Sequence, residues 1–238
     1  MPDLDQLGRT LFAVALAGFA ILSLGHALAG GPAIGPPWDV SQPVFIYLTG
    51  AVLLLAAAGI LLNKKVSQVS MLLAAVTLAR ALVVYAPRLF ANPADPRPWT
   101  SGFEILAICG TALVLADFLA TAGRFLFVSL LVVEAVQHFN YAAFISGLIP
   151  AWIPAHLFWA YFVGVAFAAA SLALIAGKSA RLAAALLGLM FFLWVIGLHG
   201  PRVAKALGNG NEWTSALVAL AMCGAAWIFA GRPVKRLR

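Results

Sequence analysis

The sequence predicts an all-α, polytopic membrane protein of eight transmembrane helices, arranged as two four-helix bundles in a parallel repeat. Three observations carry this. The 238 residues are 63% hydrophobic and only 10% charged, with a mean hydropathy of +1.00, whereas soluble domains hold about 25% charged residues. Apolar runs close to the ~20 residues that a helix rising about 1.5 Å per residue needs to cross a bilayer follow one another with short polar breaks. The chain also matches itself at a shift of 114 residues.

Bounded by Pro, Gly or charge, the predicted spans in order are Thr10–Ala29, Val44–Leu62, Ser67–Ala86, Gly102–Leu119, Phe125–Ser146, Leu157–Ala176, Leu182–Leu198 and Trp213–Ala230. The first resembles a signal peptide, because Ala27-Leu28-Ala29 looks like a cleavage site, but its leader holds Asp3 and Asp5 against one Arg9. The repeat argues that it is a structural helix. Pro36 falls on Pro150, Trp38 on Trp152, Gly50 on Gly164 and Lys64 on Lys178. Pro87-Arg88 falls on Pro201-Arg202, Trp99-Thr100-Ser101 on Trp213-Thr214-Ser215, and Cys109-Gly110 on Cys223-Gly224. A shift one residue longer sets Gly8-Arg9 on Gly123-Arg124, so the first span has a counterpart in the fifth. The predicted units are residues 1–120 and 121–238.

Four spans per unit is an even number, so both units enter the membrane from the same side and their pseudo-twofold axis runs along the membrane normal. Ten of the fifteen Lys and Arg residues fall on the side that holds both termini, four on the other, and Arg80 within a span. The positive-inside rule therefore predicts cytoplasmic termini. The net charge of +7 reads as a topology signal at helix ends, not as a nucleic-acid footprint. Cys109 and Cys223 sit in apolar runs without metal or redox spacing, and no bridge between them is expected.

Polar groups inside spans need a reason, since a charge at the bilayer centre costs about 2.5–3.5 kcal/mol on insertion scales. Glu134 lies about 15 Å along the fifth span from Arg124, and His138, one turn on, about 21 Å. His199 stands about 27 Å along the seventh span and His156 opens the sixth. Glu134, His138, His156 and His199, joined by Asn140, Tyr161 and Arg202, form a predicted polar track from midplane to outer surface. Carboxylate and imidazole groups suit proton relay or quinol contact. The aligned positions of the first unit hold Phe19, Ser23, Gln42 and Tyr85, so the second unit carries the predicted site and the first is scaffold, with His26 as a remnant. The competing reading makes Glu134 a hydrogen-bonded glue between helices. A metal site is the weaker alternative, because the spacing matches no short metal motif.

Arg80 and Glu104, in the outer halves of neighbouring spans, are expected to form an ion pair that offsets the cost of burying each. Asp117 is expected to be solvated at the inner end of the fourth span. All four histidines and six of the seven tryptophans, Trp194 excepted, are read toward the outer ends as interfacial anchors. The Pro-rich segments Gly30–Pro43 and Gly147–Pro154, with Trp38 and Trp152, are read as interfacial lids.

Gln137-His138-Phe139 and the run Ile149-Pro150-Ala151-Trp152-Ile153-Pro154-Ala155-His156-Leu157-Phe158-Trp159-Ala160-Tyr161-Phe162-Val163-Gly164 resemble the DoxX-like family of bacterial membrane proteins. Leu186 to Phe192 and His199-Gly200-Pro201-Arg202-Val203 extend the resemblance over nearly all of residues 123–231. The resemblance implies a four-helix unit, a bacterial inner membrane and an association with membrane thiol or thiosulfate:quinone redox systems. It points to His138, His156, Tyr161, His199 and Arg202 as motif positions. Gln137 stands where a Glu often precedes the His, and Glu134 one turn earlier substitutes for it. The expected function is therefore an accessory or quinone-contacting subunit with a membrane redox partner. The alternatives are a carrier for a small amphipathic solute and a structural partner whose outer Trp loops dock another protein. No P-loop, dinucleotide fingerprint, zinc-protease motif or nucleophile elbow is present.

Overall fold

The computed structural model of the chain describes residues 2–28 and 43–232. The first predicted lid falls, save for Pro43, outside the described residues. The described residues form α1 (Pro2–Leu28), α2 (Pro43–Leu61), α3 (Val66–Arg80), α4 (Ala86–Ala91), α5 (Pro96–Leu115), α6 (Ala120–Asn140), α7 (Ala142–Ser146), α8 (His156–Ala176), α9 (Ala180–Trp194), α10 (Gly200–Lys205) and α11 (Gly210–Gly231). A π-helical turn, Ala81–Tyr85, joins α3 to α4, and another, Val195–His199, joins α9 to α10. Seven helical segments are long and apolar enough to cross a membrane, and α2 contributes a shorter apolar stretch, Phe45–Leu61. The chain is an all-helical protein of the multi-pass membrane type.

Local chemistry explains where the helices begin and bend. Acidic Asp3 and Asp5 in the first turn favour the N-terminus of α1, which starts eight residues before the predicted Thr10. At α5 the Asp95 side chain accepts from the Arg97 backbone N–H and Pro96 takes the first turn, which draws the start ahead of the predicted Gly102. The Arg97 guanidinium, 2.8 Å from the same carboxylate, holds the Asp95 carboxyl below its ordinary value. That contribution to stability is therefore present above the ordinary carboxylate pKa and is lost as pH falls through the lowered value. The predicted fifth span, Phe125–Ser146, breaks at Tyr141 into α6 and the short α7.

Pro87 and Pro201 cannot donate to the carbonyl four residues back, and their rings crowd it. The turn before each widens: the Ala86 N–H reaches the Ala81 carbonyl and the Gly200 N–H reaches that of Val195. The two widened turns lie 114 residues apart. The same separation recurs in the caps, where Asn209 accepts from the Asn211 N–H as Asp95 does from Arg97. It recurs again where the indole N–H groups of Trp99 and Trp213 donate to Pro93 and Leu207 carbonyls, each at 3.0 Å.

The helices pack as a closed ring in the order α1, α2, α3, α5, α6, α8, α9, α11 and back to α1, with α5 also touching α11 across the middle. The closest unions are α1 with α11 and α5 with α6, so the segments 1–120 and 121–238 interlock instead of closing as separate bundles. Paired glycines cause this. A Cβ on Gly8 would lie 2.6 Å from the Gly224 carbonyl oxygen, and Gly110 and Gly123 face each other's carbonyls still more closely. Backbones meet where side chains would keep them apart. The core joins buried residues of both segments, among them Phe12, Leu53, Leu73, Phe127, Phe167 and Ile228, while large apolar side chains such as Leu48, Val83, Phe158 and Leu172 cover the outside.

Both described chain ends lie at one end of this ring, called the inner end after the predicted orientation, where Arg232 pairs with Asp5 at 3.1 Å. Asp117 is exposed there. Cys109 and Cys223 are buried and free; the Cys109 sulfur turns to the Ala74 carbonyl of α3, 3.4 Å away, although α5 does touch α11. Trp227 departs from the expected outer placement: it sits in the last turns of α11, buried, and its indole N–H donates to the Ala185 carbonyl at 3.2 Å. A partner inside the protein replaces the headgroup boundary.

At the outer end, Thr100 donates to Gln137 at 2.8 Å and the Gln137 amide donates to the Pro96 carbonyl at 3.2 Å, pinning α5 to α6. Gln137→Leu is expected to cost about 1–2 kcal/mol, the usual loss for stranded buried partners. A lower unfolding midpoint in detergent checks this, and an unchanged midpoint would show that the pair contributes nothing.

Candidate functional site

The structure places the six predicted site residues in separate surroundings. Glu134 and His138 share one face of α6: the His138 Nδ1 lies 2.8 Å from the Glu134 backbone oxygen and 3.9 Å from its carboxylate. With Nδ1–H donated to that oxygen, Nε2 is left as an acceptor. The buried imidazole packs edge-on to Phe167 of α8, with centroids 5.3 Å apart, and close to Gly164, where a Cβ would come within 3.0 Å of the His138 Cβ.

His199 belongs to a different cluster at the outer end. It closes the π-helical turn after α9, its Nδ1 buried without a hydrogen-bond partner among the described residues. Near it Arg202 pairs with Glu212 of α11 at 3.1 Å. Phe167, Phe191 and Trp194 form an aromatic wedge, with centroids 5.4–6.0 Å apart, that packs between α8 and α9. His156 caps the outer loop, with Nε2 3.2 Å from the Pro150 carbonyl. Tyr161 is 42% exposed on the outside of α8, and its ring lies beside that of Phe139. Asn140 is exposed near an outer groove. The predicted track is thus represented by two groups, Glu134 with His138 and His199 with Arg202 and Glu212, and Phe167 of the aromatic wedge packs against the first. Among the described residues no group of three or more His, Cys, Asp or Glu side chains is placed to hold a metal ion.

A lateral row takes in Glu134 and His138. Glu104 of α5 has Glu134 of α6 as the charged group that acts on it. Arg80 is buried at the end of α3, hydrogen-bonded to the Tyr85 side chain, and Tyr85 is within reach of the charges of both Arg80 and Glu104. Arg80 thus donates to the phenol of Tyr85, and Glu104 lies within electrostatic reach of Glu134. Arg80, Tyr85, Glu104, Glu134 and His138 make a polar row from the end of α3 and the turn after it through α5 to α6. Sequence reasoning kept Glu104 and Tyr85 out of the site because it treated the second unit alone. The signal was there, since the two glutamates lie in consecutive predicted spans.

On the same α5–α6 seam, an outer groove of about 370 Å³ is walled by Pro96, Trp99, Val132, Val136 and Gln137. A slot with apolar walls and a few convergent polar groups is the usual form of a small-molecule site. Carboxyl, phenol and imidazole side chains are groups that can hold and pass protons. The chain matches no protein-family model, no curated protein and no solved structure.

Proposed function

We propose that the chain is an eight-span, tandemly repeated protein of the DoxX-like type, in a bacterial inner membrane with both termini cytoplasmic, acting as a quinone-contacting or accessory subunit of a membrane redox system. The recurrence of caps, widened turns and indole hydrogen bonds at one separation supports the tandem reading. The observation that carries the function is the carboxyl pair Glu104 and Glu134, with His138, on the seam that also holds the outer groove. A quinone headgroup is a flat apolar ring with two polar oxygens. The Trp99 and valine walls suit the ring, and the Gln137 and Asn140 amides suit its oxygens. A quinone supplies two-electron chemistry coupled to protons, and the row supplies groups that hold and pass those protons.

The test is the quinone content of the purified protein. Protein extracted in mild detergent is expected to retain a quinone whose binding weakens at least about tenfold in Glu134→Gln, the equivalent of one lost charge-assisted hydrogen bond, and falls in His138→Ala. Absence of both a retained quinone and a co-purifying redox partner would sink the reading. A carrier is the second reading, favoured by one observation: the widened turns fall at matching places in α3 and α9, as interrupted helices do in transporters with internal repeats. Solute flux in proteoliposomes separates the two.

A further inference from the structure

At the inner end lies an open pocket of about 780 Å³, formed where α1, α11, the end of α5 and the start of α6 converge. Three guanidinium groups line it, those of Arg9, Arg124 and Arg232, against two carboxylates, Asp5 and Asp117. Asp5 is already engaged: Arg9 Nε lies 2.9 Å from one of its oxygens and Arg232 Nε 3.1 Å from the other. Arg232 also donates to the Val114 carbonyl at the end of α5. Asp117 stands exposed at the rim, in a left-handed turn (φ 56°). The pocket therefore keeps an excess of positive charge.

The start of α6 adds to it. Leu119 precedes the helix in a left-handed conformation and offers no side-chain cap, and the first three residues of the 21-residue helix, Ala120, Thr121 and Ala122, line the same pocket. Uncapped N–H groups and the positive end of the helix dipole favour an anion. The Thr121 hydroxyl is a further donor. Arg9 and Arg124, which the sequence repeat places at equivalent positions, meet here from two different helices, and the sequence continues past Arg232 with Lys235, Arg236 and Arg238.

We propose that this pocket binds the phosphate of an anionic phospholipid headgroup. The shared chemistry, a tetrahedral oxyanion, also belongs to free phosphate, but the volume is that of a site for a whole small molecule. Apolar Leu115, Leu119 and Phe229 on its walls suit glycerol and the first acyl carbons. The position fits as well: basic pockets between spans at a membrane face recognise anionic headgroups. This proposal is independent of the quinone reading, which concerns the outer half of the bundle.

The experiment measures the unfolding midpoint of the full chain in neutral detergent on adding phosphatidylglycerol, phosphatidylcholine or inorganic phosphate, with native mass spectrometry counting retained lipid. Phosphatidylglycerol is expected to raise the midpoint and stay bound, and phosphatidylcholine to do neither. Arg124→Gln is expected to weaken retention about fivefold, the effect of one basic residue near an anionic surface. Because Arg124 is buried and its loss can disturb the fold, Thr121→Asp is the second variant. An acid in the first turn favours the helix but repels an anion, so the lipid-free midpoint should hold or rise while the phosphatidylglycerol effect disappears. Equal stabilisation by both lipids, or an effect that survives Thr121→Asp, overturns the proposal. A shift from inorganic phosphate to which phosphatidylglycerol adds nothing assigns the site to a free oxyanion and overturns the lipid assignment.

Discussion

Gly110→Val is expected to prevent the native fold from forming. Gly110 and Gly123 set α5 against α6 so closely that a Cβ on either would run into the carbonyl oxygen of the other, and backbone cannot swing aside as a flexible side chain does. Overpacking a core ordinarily costs about 1–3 kcal/mol. Here the clash forces two long helices apart along the seam that also holds Thr100 and Gln137, so the cost exceeds that range. Gly224→Val should act alike at the other crossing, where the new Cβ meets the Phe12 nitrogen at 2.5 Å and the Gly8 oxygen at 2.6 Å. Gly25, with nothing within 4 Å of its missing Cβ, is the control. Thermal unfolding and limited proteolysis in detergent read the effect; a Gly110→Val protein with the parent's midpoint would show that the helices do not meet as described.

The second large effect has the opposite sign. Glu104→Gln is expected to stabilise the protein, because it keeps the shape and hydrogen-bonding capacity of the side chain while removing an ionisable carboxyl from inside the bundle, within electrostatic reach of a second one. A gain of about 1–3 kcal/mol is in proportion to the cost of an intramembrane charge, and each ~1 kcal/mol moves the midpoint of a chain this size by ~2–4 °C. Glu134→Gln should stabilise similarly, and the two gains should not add, since the two groups lie within electrostatic reach of each other. Stability won this way at the expense of ligand binding is the mark of a functional site. If both variants melt lower than the parent, the carboxylates are cementing the helices and the quinone reading loses its support.

Much of the architecture was legible because the bilayer dictates it. Continuous apolar runs of about 20 residues allow few structures other than helices, and four of the glycines that recur in the repeat, Gly8, Gly110, Gly123 and Gly224, are the ones at the two crossings. Helix ends were less legible. The acids that start α1 and the Asp95 cap of α5 lie outside the apolar windows that defined the spans, so both helices begin earlier than hydropathy places them. The site was only partly legible. Spacing along α6 correctly joined Glu134 to His138, because residues four apart share a helix face. It could not show that Phe167, Phe191 and Trp194 pack together between α8 and α9, nor that Glu104 lies within electrostatic reach of Glu134 and that Arg80 bonds Tyr85. Those are matters of helix rotation, set by which ridges mesh at each crossing.

The closure of the ring through α1 and α11 sets the order in which the molecule can be completed. Synthesis proceeds from the N-terminus at about 5–20 residues per second, so α1 enters the membrane ~10–40 s before the α11 segment that covers the Gly8 face exists. Throughout that interval the small-residue face of α1 has no partner within its own chain and is open to lipid, to an insertion factor or to another nascent copy. The helix that seals α1 is made long after it.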